Sequence, residues 1–270
     1  MTTLLYHADA FTQTPFRGNP AAVVLLDDEH PGDWMQSVAA EMNLPETAFA
    51  RPLADGSFEL RWFTPSTEVP LCGHATLAAG AVLLQEQVVS GAAIFQTASG
   101  PLMVEPRGDL FALSLPSLAT EPLRAPELLS LLGVAALDVR VSPTARDFLV
   151  RLTSPEVVQS LEVSFLDLFA MPNPLDLTGL IVTAAVEDPG PSDPHFVSRY
   201  FAPWIGIPED AVTGSAHAVL GPYWGERLNL QRMRARQLSP RGGDLGVDLD
   251  LPRVILTGGC VILSRGFWLR

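Results

Sequence analysis

The residues of this chain that could do chemistry are carboxylates and imidazoles, and they gather around two glycines. Glu46 stands directly after Leu44-Pro45, at the head of a β-type run. His74 follows Gly73, while Asp210, Ser215 and His217 surround Gly214. A carboxylate and an imidazole in one site are the usual makings of proton transfer, because each can take a proton and return it. Asp210, Ser215 and His217 are also the residue types of a hydrolytic triad. However, Gly214-Ser215-Ala216-His217 lacks the Gly-x-Ser-x-Gly elbow, and residues two apart at a helix start point away from each other. No Gly-x-Gly-x-x-Gly, Walker pattern or His-Glu-x-x-His is present, so nucleotide or metal dependence has no support and no cofactor is expected. Cys72 and Cys260 are far apart, lack metal-ligand partners at useful spacing, and read as reduced thiols. Structural roles compete for the same residues: His74, Asp210 and Ser215 could each serve only as helix caps.

The elements that must position these groups occur twice. Arg61-Trp62-Phe63-Thr64-Pro65 is followed by Glu68 and then Gly73-His74-Ala75-Thr76. Arg199-Tyr200-Phe201-Ala202-Pro203 is followed by Glu209 and then Gly214-Ser215-Ala216-His217, through a loop three residues longer. Both copies read strand, loop, glycine, helix, and a period near 140 residues predicts two similar domains rather than a solenoid. A helix N-terminus carries unpaired N–H groups and positive potential, and a glycine there lets a ligand approach the backbone. Two such ends facing an interdomain cleft would hold a carboxylate and steady an enolate-type charge. Arg61 and Arg199 precede the helices and are expected to fix the loops.

Around the repeat, β-type runs recur at Ala21–Leu26, Phe58–Phe63, Leu110–Leu115, Phe148–Leu152, Leu180–Val186 and Val254–Thr257. An amphipathic helix is expected through Trp34–Met42, ending at Asn43, and a short one from Pro126 to Gly133. Residues Gly73–Gln85 are apolar nearly all round, so this helix must be enclosed. The 270 residues suffice for such cores, with 47% hydrophobic and 17% charged residues. A net charge of −13 argues against nucleic acid or an anionic membrane as partner, since both demand basic patches. Without a basic leader or a long apolar run, the chain is expected in the cytoplasm.

Several motifs, in register over nearly the whole chain, resemble the PhzF-like isomerases of the phenazine-biosynthesis family. They are Asp9-Ala10-Phe11-Thr12 with Pro15–Val23, Asn43–Phe49, the blocks Arg61–Ala78 and Glu209–Trp224, and Gln237–Gly243. The resemblance implies an α/β (α+β) fold of the diaminopimelate-epimerase type: two pseudo-symmetric halves, each a curved, mostly antiparallel sheet wrapped round a central helix. The halves are expected at residues 1–118 and 119–256, with 257–270 returning to the first. It further implies an isomerase that moves a proton within a small, cyclic, carboxylated substrate, by double-bond shift or epimerisation, with a homodimer common among relatives. Glu46 would be the proton shuttle, with His74, Asp210 and Ser215 in the same cleft and Asn19, Gly73, Gly214, Ala216 and His217 binding the substrate. The epimerase relatives use one cysteine per half. The second half here carries Thr213-Gly214-Ser215, so a single-carboxylate transfer fits better than a two-thiol exchange. The rival expectation is a carboxylate-binding protein of the same fold that has lost its chemistry.

Overall fold

The computed structural model describes residues 3–268. The chain forms two compact units, one running to Leu115 and resuming at Ile255, the other comprising Pro116–Val254.

In the first unit the order is β1 (Thr3–Ala10), β2 (Asn19–Leu25), α1 (Gly32–Met42), β3 (Glu46–Pro52), β4 (Phe58–Phe63) and β5 (Glu68–Val69). It continues with α2 (Gly73–Gln85), β6 (Ala93–Gln96), β7 (Leu102–Arg107) and β8 (Leu110–Pro116). The second unit runs β9 (Glu121–Pro122), α3 (Pro126–Leu132), β10 (Ala136–Ser142), β11 (Asp147–Leu152), α4 (Pro155–Ser160) and α5 (Phe165–Ala170). Then come β12 (Gly179–Ala185), β13 (Phe196–Ala202), β14 (Ile207–Asp210), α6 (Gly214–Leu228), β15 (Arg232–Gln237) and β16 (Gly243–Asp250). From there β17 (Arg253–Gly258) leads into β18 (Cys260–Trp268), which pairs antiparallel with β1.

The strand pairings repeat in the two units. β2 lies parallel to β3, which is antiparallel to β4; β4 then pairs antiparallel with β5 and parallel with β6. β11, β12, β13, β14 and β15 reproduce this series in the same order and sense. Each unit is therefore a mostly antiparallel curved sheet wrapped around one helix, the architecture expected from the sequence. α2 contacts β1, β2, β3, β6, β7 and β18, and every residue from His74 to Leu83 is buried. Outer helices cover the other sheet faces. Met35, Val38 and Ala39 of α1 pack on Val24 and Phe49, and α3, α4 and α5 cover β10–β13.

Element ends follow local chemistry. Asn43 and Gly133 close α1 and α3 in the left-handed region, at φ 49° and 63°. Pro222 sits inside α6 and cannot donate to the Ala218 carbonyl four residues back; the Leu118 N–H takes that carbonyl instead, at 3.1 Å. The sequence reading did not foresee α4 and α5, because helices of six residues show no usable periodicity. Ser154 and Ser164 mark their starts, accepting from the N–H groups of Val157 and Asp167.

Enclosure leaves no slack around α2. A Cβ on Gly80 would lie 2.4 Å from Val104 on β7. Gly80→Ala is expected to destabilise the protein by roughly 1–3 kcal/mol, read as a lower urea midpoint. An unchanged midpoint would mean that β7 yields freely.

Candidate functional site

In the first unit, the turn between β5 and α2 meets the starts of β2 and β3. Cys72 is the N-cap of α2 with extended backbone (φ −143°), Gly73 opens the helix, and His74 is in its first turn. The parallel pairing of Ala21 with Glu46 sets Glu46 at the head of β3, two strand positions along from Asn19 on the adjoining strand. Glu46 Oε2 lies 3.2 Å from His74 Nε2, with side chains only 12% and 5% exposed. The other ring nitrogen, Nδ1, meets the Asn19 side-chain nitrogen at 3.0 Å and the Cys72 sulfur at 3.5 Å. The imidazole is thus held between a carboxylate on one edge and an amide and thiol on the other. Burial alone would lower the His74 pKa. The neighbouring Cys72 and Glu46 outweigh it and hold the imidazole well above the ordinary histidine value. Burial pushes the Cys72 thiol upward, reinforced by the Glu46 charge.

In the second unit, Asp210 ends β14. Its carboxylate accepts from the Ala211 N–H at 3.0 Å and from the Thr213 hydroxyl at 2.5 Å. Gln237 braces the same turn: its side-chain oxygen accepts the Thr213 N–H at 2.9 Å, and its amide donates to the Asp210 carbonyl at 2.8 Å. Ser239 adds a bond to the Ala211 carbonyl at 2.6 Å. Gly214 then starts α6, with Ser215 half-buried beside it. Neither α2 nor α6 has a side-chain cap or an acidic residue in its first turn, so both N-termini keep their positive potential.

The repeat is visible atom by atom. Arg61 donates to both oxygens of Glu68 at 2.7 and 2.8 Å, and Arg199 to both of Glu209 at 2.7 and 2.9 Å. Each guanidinium also lies over the phenylalanine two residues on, Phe63 or Phe201, at 5.2 and 4.8 Å. The two arginines therefore hold the loops ahead of the helices, as the sequence suggested. At each helix start, a side chain four residues beyond the N-cap bonds the N-cap carbonyl. Thr76 does so to Cys72 at 2.5 Å, and His217 to Thr213 at 2.8 Å.

The same register shows where the units differ. Thr47 pairs with Phe63, and Leu180 with Phe201, so the counterpart of Glu46 is Gly179. A Cβ there would lie 2.3 Å from the Tyr200 hydroxyl, which itself donates to buried Asp147 at 3.0 Å. Asp147 is raised to about 7 by burial, against the hydrogen bonds of Tyr200 and Thr178.

Two candidate side chains lie in the core, and one expectation about Cys72 needs correction. His217 is fully buried, stacks on Phe196, and faces Ser198 at 3.5 Å. It holds the start of α6 from inside the core, and Ala216 beside it is 1% exposed; neither side chain is open to a substrate. Cys72 does have potential metal-ligand partners. Its sulfur, a His74 nitrogen and a Glu46 oxygen all lie within 4.8 Å of one another. Glu46 comes from a different strand, so linear spacing could not show the group. Gln237 and Ser239 brace the turn before α6 without a role legible in the sequence beyond polar side chains at a strand end, and both are buried.

The family model described as "Phenazine biosynthesis-like protein" matches residues 8–266. The chain belongs to that family. A mouse relative, "Phenazine biosynthesis-like domain-containing protein 1", is 44% identical over 280 residues, covering 97% of each chain. An "uncharacterized isomerase" of Halalkalibacterium halodurans is 42% identical over 269 residues, covering 98% of each. A crystal structure of a PhzF family protein from Enterococcus faecalis superposes with a TM-score of 0.92 at 39% identity, over the whole of both chains. The phenazine biosynthesis-like family is thus one of isomerase type, and more remote solved structures of epimerase type share its fold alone.

Burial sets the acid limit of the α6 turn. His217 is lowered to about 4, by burial acting against its bond to the Thr213 carbonyl, from an ordinary value of 6.5. Its contribution to stability is full above the unfolded value and lost as the pH falls through the native one, by roughly 3 kcal/mol. His217→Gln, which keeps a donor for the carbonyl, should flatten the fall of the urea midpoint between about pH 7 and pH 4.5. An equal slope in both proteins would assign the acid limit elsewhere.

Proposed function

We propose that this chain is a cofactor-independent isomerase in which Glu46 removes a proton from a small, cyclic, carboxylated substrate and returns it to another carbon. The observation that carries the reading is the Glu46–His74 pair: a shielded carboxylate 3.2 Å from an imidazole, beside the uncapped N-terminus of α2. A proton shuttle must be shielded from water yet able to exchange a proton with a fixed partner, and this pair meets both needs. The N–H groups at Gly73 suit the carboxylate and the charge that develops as the carbon is deprotonated.

One base in both roles is supported by the register of the repeat. The position matching Glu46 is Gly179, and the position matching Cys72 is Thr213, so neither a second carboxylate nor a second thiol stands at the equivalent places. Asp210 and Ser215 belong to the proposed set through the repeat, with Asn19 orienting the imidazole and Gly214 presenting backbone donors. Asp210 would fix a polar substituent of the substrate; Ser215 would add little, because a backbone N–H at that point meets the same oxygen.

The test is incubation of a panel of cyclic unsaturated carboxylates in D₂O, with NMR detection of deuterium at carbon. An isomerase washes label into its substrate, whereas a mere binder leaves it unlabelled. Glu46→Gln keeps the shape and removes the base, so exchange should fall about a hundredfold or more while binding persists. Ser215→Ala should cost much less, and prior dialysis against a chelator should leave the rate intact. Near-normal exchange by the Gln variant would make Glu46 a bystander.

A further inference from the structure

We propose that Glu46, Cys72 and His74 form a binding site for one borderline-soft divalent cation of the zinc type, and that its occupancy silences the acid/base pair. A thiolate, an imidazole and a carboxylate are the donors such an ion takes, and three protein ligands leave a fourth position for water or a substrate oxygen. All three ligand atoms lie within 4.8 Å of one another. With metal–ligand bonds of about 2.0–2.3 Å, a tetrahedral site has edges of roughly 3.3–3.6 Å. The His74–Glu46 edge, 3.2 Å through Nε2, is already near that length. Cys72 now lies against the opposite nitrogen, at 3.5 Å from Nδ1. Its sulfur must therefore swing towards the Nε2 side, by rotation about its Cα–Cβ bond.

A second observation concerns the imidazole itself. His74 Nε2 is buried and faces the Glu46 carboxylate at 3.2 Å, with no other hydrogen-bond partner. Buried polar atoms are nearly always satisfied, and a cation held between Nε2 and the Glu46 oxygen would satisfy both. Asn19, 3.0 Å from Nδ1, is placed to hold the ring from behind, as the outer partner of a metal-bound histidine does. On binding, the Cys72 thiol gives its proton to solvent and the imidazole gives up any second proton. The ion replaces protons, and nothing is oxidised or reduced. The silencing effect rests on the isomerase reading above; the site itself does not.

The experiment uses the full chain, dialysed free of metal and titrated with Co²⁺ as a spectroscopic stand-in and with Zn²⁺ against a chromophoric chelator. The expected result is one equivalent bound, with a thiolate-to-cobalt charge-transfer band. Cys72→Ser should abolish the band, Glu46→Gln should weaken binding at least tenfold, and Cys260→Ser should change neither. Cys72→Ala replaces the serine variant if that one does not fold. One equivalent of Zn²⁺ should stop deuterium incorporation, and chelator should restore it. A band that survives loss of Cys72, dependence on Cys260, or no stoichiometric binding would overturn the site. Deuterium exchange that continues with Zn²⁺ bound would overturn the silencing. A cobalt band in a protein that never exchanges deuterium would leave the site standing and sink the isomerase reading instead.

Discussion

A helix with no polar face has to be enclosed, and most of the first unit follows from enclosing α2. Its small residues, alanine and glycine above all, let the strands close in until Gly80 lies against Val104. At the helix start, Cys72 and His74 are buried and Gly73 between them is partly exposed. No side chain caps the backbone N–H groups there. Packing an apolar helix inside a sheet thus leaves an uncapped, positive helix end, which the proposed function uses for a substrate carboxylate. The arginine–glutamate pair ahead of the helix keeps the preceding loop folded back, so that the opening stays where the strand ends supply Asn19 and Glu46.

Duplication carried this frame into the second unit and left the chemistry uneven. The arginine–glutamate pair, the ring beneath the guanidinium, and the side chain bonding the N-cap carbonyl all occur twice. The carboxylate at the Glu46 position has no counterpart in the second unit, because Gly179 stands in its place and the Tyr200 phenol fills the space. Where the first unit has a thiol at the N-cap, the second has Thr213, whose hydroxyl is spent on Asp210. Features that hold the backbone were kept in both copies, and the carboxylate–imidazole pair stands in one. That division is the basis of the single-base reaction proposed above.

What the sequence determined by itself was the frame. Apolar periodicity, the Arg–aromatic–Phe–small–Pro repeat and the glycine-led helices are local patterns. Local patterns can be read because the helix and strand periods are built into the backbone. They gave α1, α2, α3 and the six strand runs, and together with the family motifs they gave the fold class. Among the candidate residues, the neighbourhood of Glu46 and His74 was legible only through the resemblance, since 28 positions separate them in the chain. Tertiary structure decided the rest, because it depends on which strand lies beside which. Parallel pairing of β2 with β3 set Asn19 and Glu46 close together, and the turn into α2 gave Cys72 two partners that no linear spacing showed. Tertiary structure also withdrew His217: a histidine three residues beyond a site glycine reads like a ligand, but helix geometry turned it inward, where the cost of burying its charge keeps it neutral.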